Sequence, residues 1–150
     1  MAPSEKIVAD EKTIGLYIPQ KPPVVMIGKL LEVTGPKTVT SFLIREDNLF
    51  CDEGIFREPG LIENIAQSAA AGAGYLAREK GTEPRVGFIG GIRNLRIHKL
   101  PLAGNEIRTE ITVEHEVFDA SVVNGKTFLE GCCIAECELK IFLVNPEKQN

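Results

Sequence analysis

The sequence predicts an α+β domain in which one long helix is enclosed by a curved antiparallel sheet. Three observations carry that prediction. Leu61, Ile62, Ile65, Ala66, Ala69 and Ala70 recur at the helical period after Pro59. Residues 106–117, EIRTEITVEHEV, alternate apolar or small side chains with charged ones, the mark of a half-buried antiparallel strand. The other apolar runs are rich in β-branched residues and are separated by short turn signals. The order these give along the chain is β-β-α-β-β-β.

Taken in order, residues 22–33 (PPVVMIGKLLEV) and 37–44 (KTVTSFLI) form a strand pair around the turn TGPK. The helix starts at Pro59, where proline is tolerated, and runs to about Lys80, before Gly81 and Pro84 end it. Its middle, from Ala69 to Gly74, reads AAAGAG. Glycine costs about 1 kcal/mol per helix position against alanine, so two of them imply a packing need. Strands pressing on most of the helix's circumference predict that Ala69, Ala70 and Ala73 are nearly inaccessible. Residues 85–97 form the next strand. In the 106–117 strand Ile107, Thr109, Ile111, Val113, His115 and Val117 share the inner face. Residues 118–129 and 132–143 supply two more strands. Asn124-Gly125 and Glu130-Gly131 compete for the hairpin turn, and local turn preference favours Asn-Gly.

At 150 residues and 43% hydrophobic, the chain reads as a single domain over 1–150, with loose ends at about 1–12 and 145–150. No signal-peptide pattern opens it, and no apolar run approaches the roughly 20 residues of a membrane span, so a soluble, cytoplasmic protein is expected. A formal charge of −4 argues against nucleic-acid binding. The charge is uneven: Arg78, Lys80, Arg85, Arg93, Arg96 and Lys99 face only Glu79 and Glu83 in that stretch. An acidic partner suits such a patch. Cys51, Cys132, Cys133 and Cys137 lack the paired spacing of a zinc site and read as reduced, buried thiols. No metal or other cofactor is expected.

The phrases IPQKPPVVMIGKLLEV, GLIENIAQ and FIGGIRNLRIHKLPLAGNEIRTEITVE, in that order, resemble the bacterial 3-hydroxyacyl-acyl carrier protein dehydratases (FabZ-like) of the hot-dog fold. The resemblance runs from about Ile18 to Phe142. Its helix phrase E-x-x-A-Q is supplied by Glu63, Ala66 and Gln67. Aligned without a gap from Phe88 to Gly131, the family pattern moves the hairpin turn to Glu130-Gly131, against the local preference.

The resemblance implies a dimer of hot-dog subunits with sites at their interface. Each pairs the helix glutamate of one subunit with a loop histidine of the other, and helix-end N–H groups hold the thioester carbonyl. Glu63 is then the catalytic group, with Gly60, Leu61, Asn64, Gln67, Ile55 and Phe56 around the substrate. Removing a proton alpha to a thioester puts enolate charge on the carbonyl oxygen, which helix-end donors stabilise. An acid must also protonate the departing hydroxyl. The family's Gly-His-Phe-Pro motif falls on Gly54-Ile55-Phe56-Arg57, with isoleucine in the histidine's place and a shorter loop. His98 and His115 lie elsewhere, and the loop acids Asp52 and Glu53 are weaker candidates.

Three function classes follow. One is a divergent dehydratase, weak or inactive alone, whose missing histidine comes from a substitute residue or a different subunit. A second is a thioesterase using Glu63 with Gly60. The third is a non-catalytic subunit that binds acyl groups or steadies an active partner. The expected partners are an acyl carrier protein or a CoA thioester, and a second hot-dog subunit, either identical or homologous. Arg93, Arg96 and Lys99 are the expected carrier-docking contacts.

Overall fold

The computed structural model describes residues 7–144. Strands β1 (Lys29–Thr34) and β2 (Lys37–Leu43) form the first hairpin, closed by Gly35 in the left-handed region. A two-strand hairpin of β3 (Cys51–Asp52) and β4 (Ile55–Phe56) leads into the helix α1 (Glu58–Glu79). Then come β5 (Val86–Ile97), β6 (Glu106–Val117), β7 (Ala120–Leu129) and β8 (Cys132–Val144). Four strands therefore follow the helix, one more than the expected order counts. Six strands form one antiparallel sheet in the order β1-β2-β6-β7-β8-β5, so β5 is an edge.

The helix and most sheet boundaries match the sequence reading to within a residue or two. The first strand does not. It starts at Lys29 instead of residue 22, because the backbone of Val24 and Met26 bonds side chains of α1 and not a neighbouring strand. The hairpin turn lies at Glu130-Gly131, both with positive φ, as the family pattern requires. Asn124-Gly125 sits inside β7, which itself begins after a turn at Phe118-Asp119. Residues 7–12 are not a loose lead-in. Ala9 bridges Leu30, and the Asp10 carboxylate accepts the N–H groups of Lys12 and Thr13. The other expected loose residues, 1–6 and 145–150, lie outside the described ones.

Contacts along α1 run in register with the sheet. Leu61 shares a cluster with Ile107, Leu129, Ile134 and Ala135, whereas Ile65 packs with Ile111, Val123, Cys137 and Leu139. Moving along the helix thus moves outward along β6, β7 and β8 together. A separate cluster presses Ile14, Ile18 and Ile27 against Ala71. Gly72 and Gly74 are the points of closest approach: a Cβ would overlap the Thr38 side chain at the first and the Tyr17 carbonyl at the second.

The alanines take the other role. Ala71 is buried, but Ala69 and Ala70 are half-buried and Ala73 is exposed, contrary to the expectation that these three would be nearly inaccessible. Sheet and N-terminal segment cover two faces of α1. The third, towards β5, is left open.

Polar side chains fix the rotation of the helix. Asn64 Nδ2 donates to Met26 O at 2.8 Å, and Thr109 Oγ1 donates to Asn64 Oδ1 at 2.5 Å. Thr127 then supplies the proton in its 2.9 Å contact with Thr109. Ser68 Oγ donates to Asn64 O at 2.7 Å, so Thr40 is the donor in its 2.6 Å contact with Ser68. Each such bond nets about 1 kcal/mol, but leaving a buried member unpaired costs about 1–3 kcal/mol. Any other rotation of α1 would break several at once.

Candidate functional site

Glu63 lies in the second turn of α1, on the open face. It lines a groove of about 320 Å³ whose floor is Ala66, Ala69, Ala70, Ala73 and Leu76. These positions follow the i, i+3, i+4 spacing of one helix face. The opposite wall comes from Ile111 and Val113 on β6, Val123 on β7, Ile141 and Leu143 on β8, and the start of β5. From Glu63 to Leu76 the helix rises about 20 Å, so the groove is long, narrow and mostly hydrocarbon.

The carboxylate is held at one oxygen. Gln67 Nε2 donates to Glu63 Oε2 at 2.9 Å and to Val24 O at 2.8 Å, while Gln67 Oε1 accepts the Met26 N–H at 2.7 Å. Among the described residues Glu63 Oε1 has no hydrogen-bond partner.

Of the other residues expected around the substrate, none lines this groove. Phe56 and Leu61 are core side chains, with the Phe56 ring 6.0 Å from that of Phe42. Asn64 and Gln67 are fully buried and hydrogen-bonded as described. Gly60 is buried where a Cβ would collide with the Phe56 ring. Ile55 is half-buried and bridges Leu102. The helix start also offers few donors. Pro59 has no N–H, and the N–H groups of Gly60 and Leu61 both point to Arg57 O, at 3.0 and 3.4 Å. The packing of the β3–β4 hairpin accounts for Ile55, Phe56 and Gly60, whereas bonds to Val24, Met26 and Thr109 account for Asn64 and Gln67.

His115 is likewise outside the groove. A β-bulge between Val113 and His115 shifts the pairing with β7, so His115 opposes Val122 and Glu116 opposes Ser121. Glu116 and Ser121 line the groove, and His115 is exposed on the other face, not the inner one its alternation predicted. His98 is exposed after β5. Gln20, Thr38 and Arg85 complete the polar lining. Arg85 Nη2 donates to Asp119 Oδ1 at 2.7 Å and to Leu143 O at 3.2 Å.

Arg93, Arg96 and Lys99 are exposed along β5 and the loop beyond it, with Arg93 Nε 3.9 Å from a Glu138 carboxylate oxygen. Asp52 and Glu53 are exposed in the β3–β4 turn. All four cysteines are free. Cys137 is buried, and desolvation pushes its thiol up to about 11, but Cys132 is exposed, against the expectation of four buried thiols. Among the described residues no acid, histidine and cysteine group could hold a metal, and no helix is long and apolar enough to cross a membrane.

A long helix laid across one large antiparallel sheet defines a protein of the hot-dog fold. The particular family follows from the sequence match: residues 12–150 fit the model of the ApeP-like family, described as ApeP dehydratase, and the chain belongs to that family. The chain is also 24% identical over 147 residues to the 3-hydroxyacyl-[acyl-carrier-protein] dehydratase FabZ of Allorhizobium ampelinum, covering 94% of each. Its fold is similar to a chain of the dehydratase heterocomplex ApeI:P from Xenorhabdus doucetiae, with a TM-score of 0.84, 16% identity and 90% and 93% of the two chains covered. A hypothetical thioesterase from Streptococcus pneumoniae, solved with coenzyme A, shares the fold at a TM-score of 0.62 and 9% identity, over 77% of this chain and 84% of that one.

Proposed function

We propose that this chain supplies the glutamate half of a composite site that dehydrates 3-hydroxyacyl thioesters to trans-2-enoyl thioesters. The observation that carries the reading is Glu63: a carboxylate with one oxygen fixed and one open, on the wall of an acyl-sized apolar groove that no histidine lines. In the reaction the Cα–H bond breaks and its electron pair becomes the Cα–Cβ double bond. The hydroxyl leaves Cβ with an added proton, as water. One carboxylate at a fixed position serves one of these proton transfers well. The other needs a second group on the opposite side of the substrate.

That group comes from a partner, a hot-dog relative whose loop carries the histidine that Ile55 replaces here. The edge strand β5 is the natural seam for it. Its Phe88, Ile89, Ile92 and Leu95 are exposed, and a long unpaired apolar edge invites strand addition. Resemblance in fold to a member of a two-component dehydratase supports a mixed pair over a self-sufficient homodimer. The acyl group is delivered on an acyl carrier protein that docks on Arg93, Arg96 and Lys99. Hydrolysis of the thioester is the weaker reading, because the family model that the chain matches is described as a dehydratase.

The test is incubation of the purified chain with 3-hydroxyacyl and enoyl thioesters, with and without a histidine-bearing hot-dog relative, followed by mass spectrometry. Water loss that appears only with the relative, and vanishes with Glu63→Gln, is expected. Free acid as the product would establish the thioesterase instead. Turnover by the mixed pair that survives Glu63→Gln would leave this chain a non-catalytic subunit.

A further inference from the structure

We infer that Arg85 is a specificity-determining residue: it bars the far end of the groove and sets the longest acyl tail the groove accepts. The inference rests on the reading of this groove as an acyl site and deepens it.

The far end is built by the outer edge of the sheet. On β8, Leu139 packs with Ile65, Ile141 pairs with Ser121, and Leu143 lies four residues beyond Leu139. At about 3.3 Å per residue, that is roughly 13 Å further out. The helix keeps pace, rising about 16.5 Å from Ile65 to Leu76. Leu76 is the last residue of α1 in the wall, so the apolar floor ends there.

Arg85 lies across that end. It stands just before β5, yet its Nη2 reaches Asp119 Oδ1 in the turn between β6 and β7. In the sheet order β6-β7-β8-β5 the side chain therefore passes over the ends of β8 and β7. It is tied on the way at Leu143 O, at 3.2 Å. Arg85 lines the groove together with Glu116 and Ser121, which places this bar on the inner side of the sheet. Its own bonding does not explain the course it takes. Nη2 makes both bonds, while Nε is buried without a partner, an arrangement that costs stability. Closure of the groove is what the course achieves.

A hydrocarbon tail gains affinity only while its methylenes meet apolar lining, at most roughly fourfold for each one. A tail that reaches Arg85 must stop, fold back or push the guanidinium from Asp119. Pushing strips water from a charge and returns no bond. Affinity therefore climbs with tail length and levels off where the bar begins. Asp119, the far post of the bar, is exposed, and an ion pair so placed is weak enough to yield.

The test is calorimetric binding of saturated acyl-CoA thioesters, lengthened two carbons at a time. It uses the purified chain and its pair with a histidine-bearing hot-dog relative. Arg85→Ala should carry the climb on by at least two methylenes, with roughly 10-fold tighter binding of the first tail beyond the original limit. Shorter tails should bind as before. Asp119→Asn, which keeps the turn and weakens the post, should move the limit the same way by less. A limit unmoved in both variants, each checked for an unchanged melting point, would overturn the assignment. So would an equal loss at every tail length, which would make Arg85 a clamp on the fold. If no acyl thioester binds, the acyl site and the bar fall together. If the limit moves but no pair dehydrates, only the dehydratase reading falls.

Discussion

Gly125 of β7 leaves the space that Ile65 of α1 fills: a Cβ at that glycine would run into the Ile65 side chain. The helix and the centre of the sheet are in close contact there. Gly125→Ala should therefore destabilise the fold by about 1–3 kcal/mol, the usual result of overpacking. Urea unfolding with an unchanged m-value would check it.

Ala70 is predicted to behave differently. It lies on the floor of the groove and is only half-buried, so Ala70→Leu should leave the stability of the isolated chain within about 0.5 kcal/mol. The added side chain fills the groove instead. Binding of a long acyl thioester, followed by fluorescence or calorimetry, should be lost while a two-carbon thioester is less affected.

Thr109 joins the helix to two strands through Asn64 and Thr127. Thr109→Val removes the hydroxyl without changing the shape and strands the Asn64 oxygen. The expected cost is about 1–3 kcal/mol, read as a fall in the denaturation midpoint.

Cysteine reactivity should be sharply graded. Cys132 is exposed, whereas Cys137 is buried with its thiol raised to about 11 by desolvation. At pH 8 a disulfide reagent should modify Cys132 first and Cys137 last. Burial favours the neutral thiol, so the unfolded chain ionises Cys137 near its ordinary value of 9.0 and the folded chain does not. This group's contribution is intact below that value and is lost as pH rises towards about 11. Cys137→Ala should flatten that part of the stability profile.

Ile55→His alone should not create an active homodimer. Ile55 is held in a hairpin of two two-residue strands and bridged to Leu102, a placement that a longer, proline-rich loop would not share. The check is dehydration by the purified variant, with the histidine-bearing pair as the positive control.

Much of the architecture was legible because periodicity reports burial. The strand at 106–117 and the helix after Pro59 are written in their apolar spacing. What escaped was whatever depends on three-dimensional company. The residues 22–28 are as β-branched as a strand, yet Gln67 and Asn64 claim their backbone. Asn124-Gly125 has the composition of a turn, but its glycine answers to Ile65 across the core. The same limit governs the site. Glu63 stood out as a lone acid on an apolar helix, and it lines the groove. Its neighbours Asn64 and Gln67 looked equally available, and only their buried partners reveal that they are supports. Gln20 and Glu116 carried no sequence signal, and Arg85 stood out only as one charge of a basic stretch, since exposed and groove-lining polar residues look alike in one dimension.

The bulge in β6 has a consequence for how relatives of this chain can diverge. Beyond Val113 the extra residue works like a frameshift in side-chain direction, so the outer part of the strand is read on the opposite face. One residue inserted into β7 between Val122 and Val123 would even out the ladder, turning His115 inward and Glu116 outward. An imidazole would then stand where a carboxylate does now, with every original amino acid unchanged. For this rim of the groove, length variation is a route to new chemistry that a comparison of residue identities would pass over.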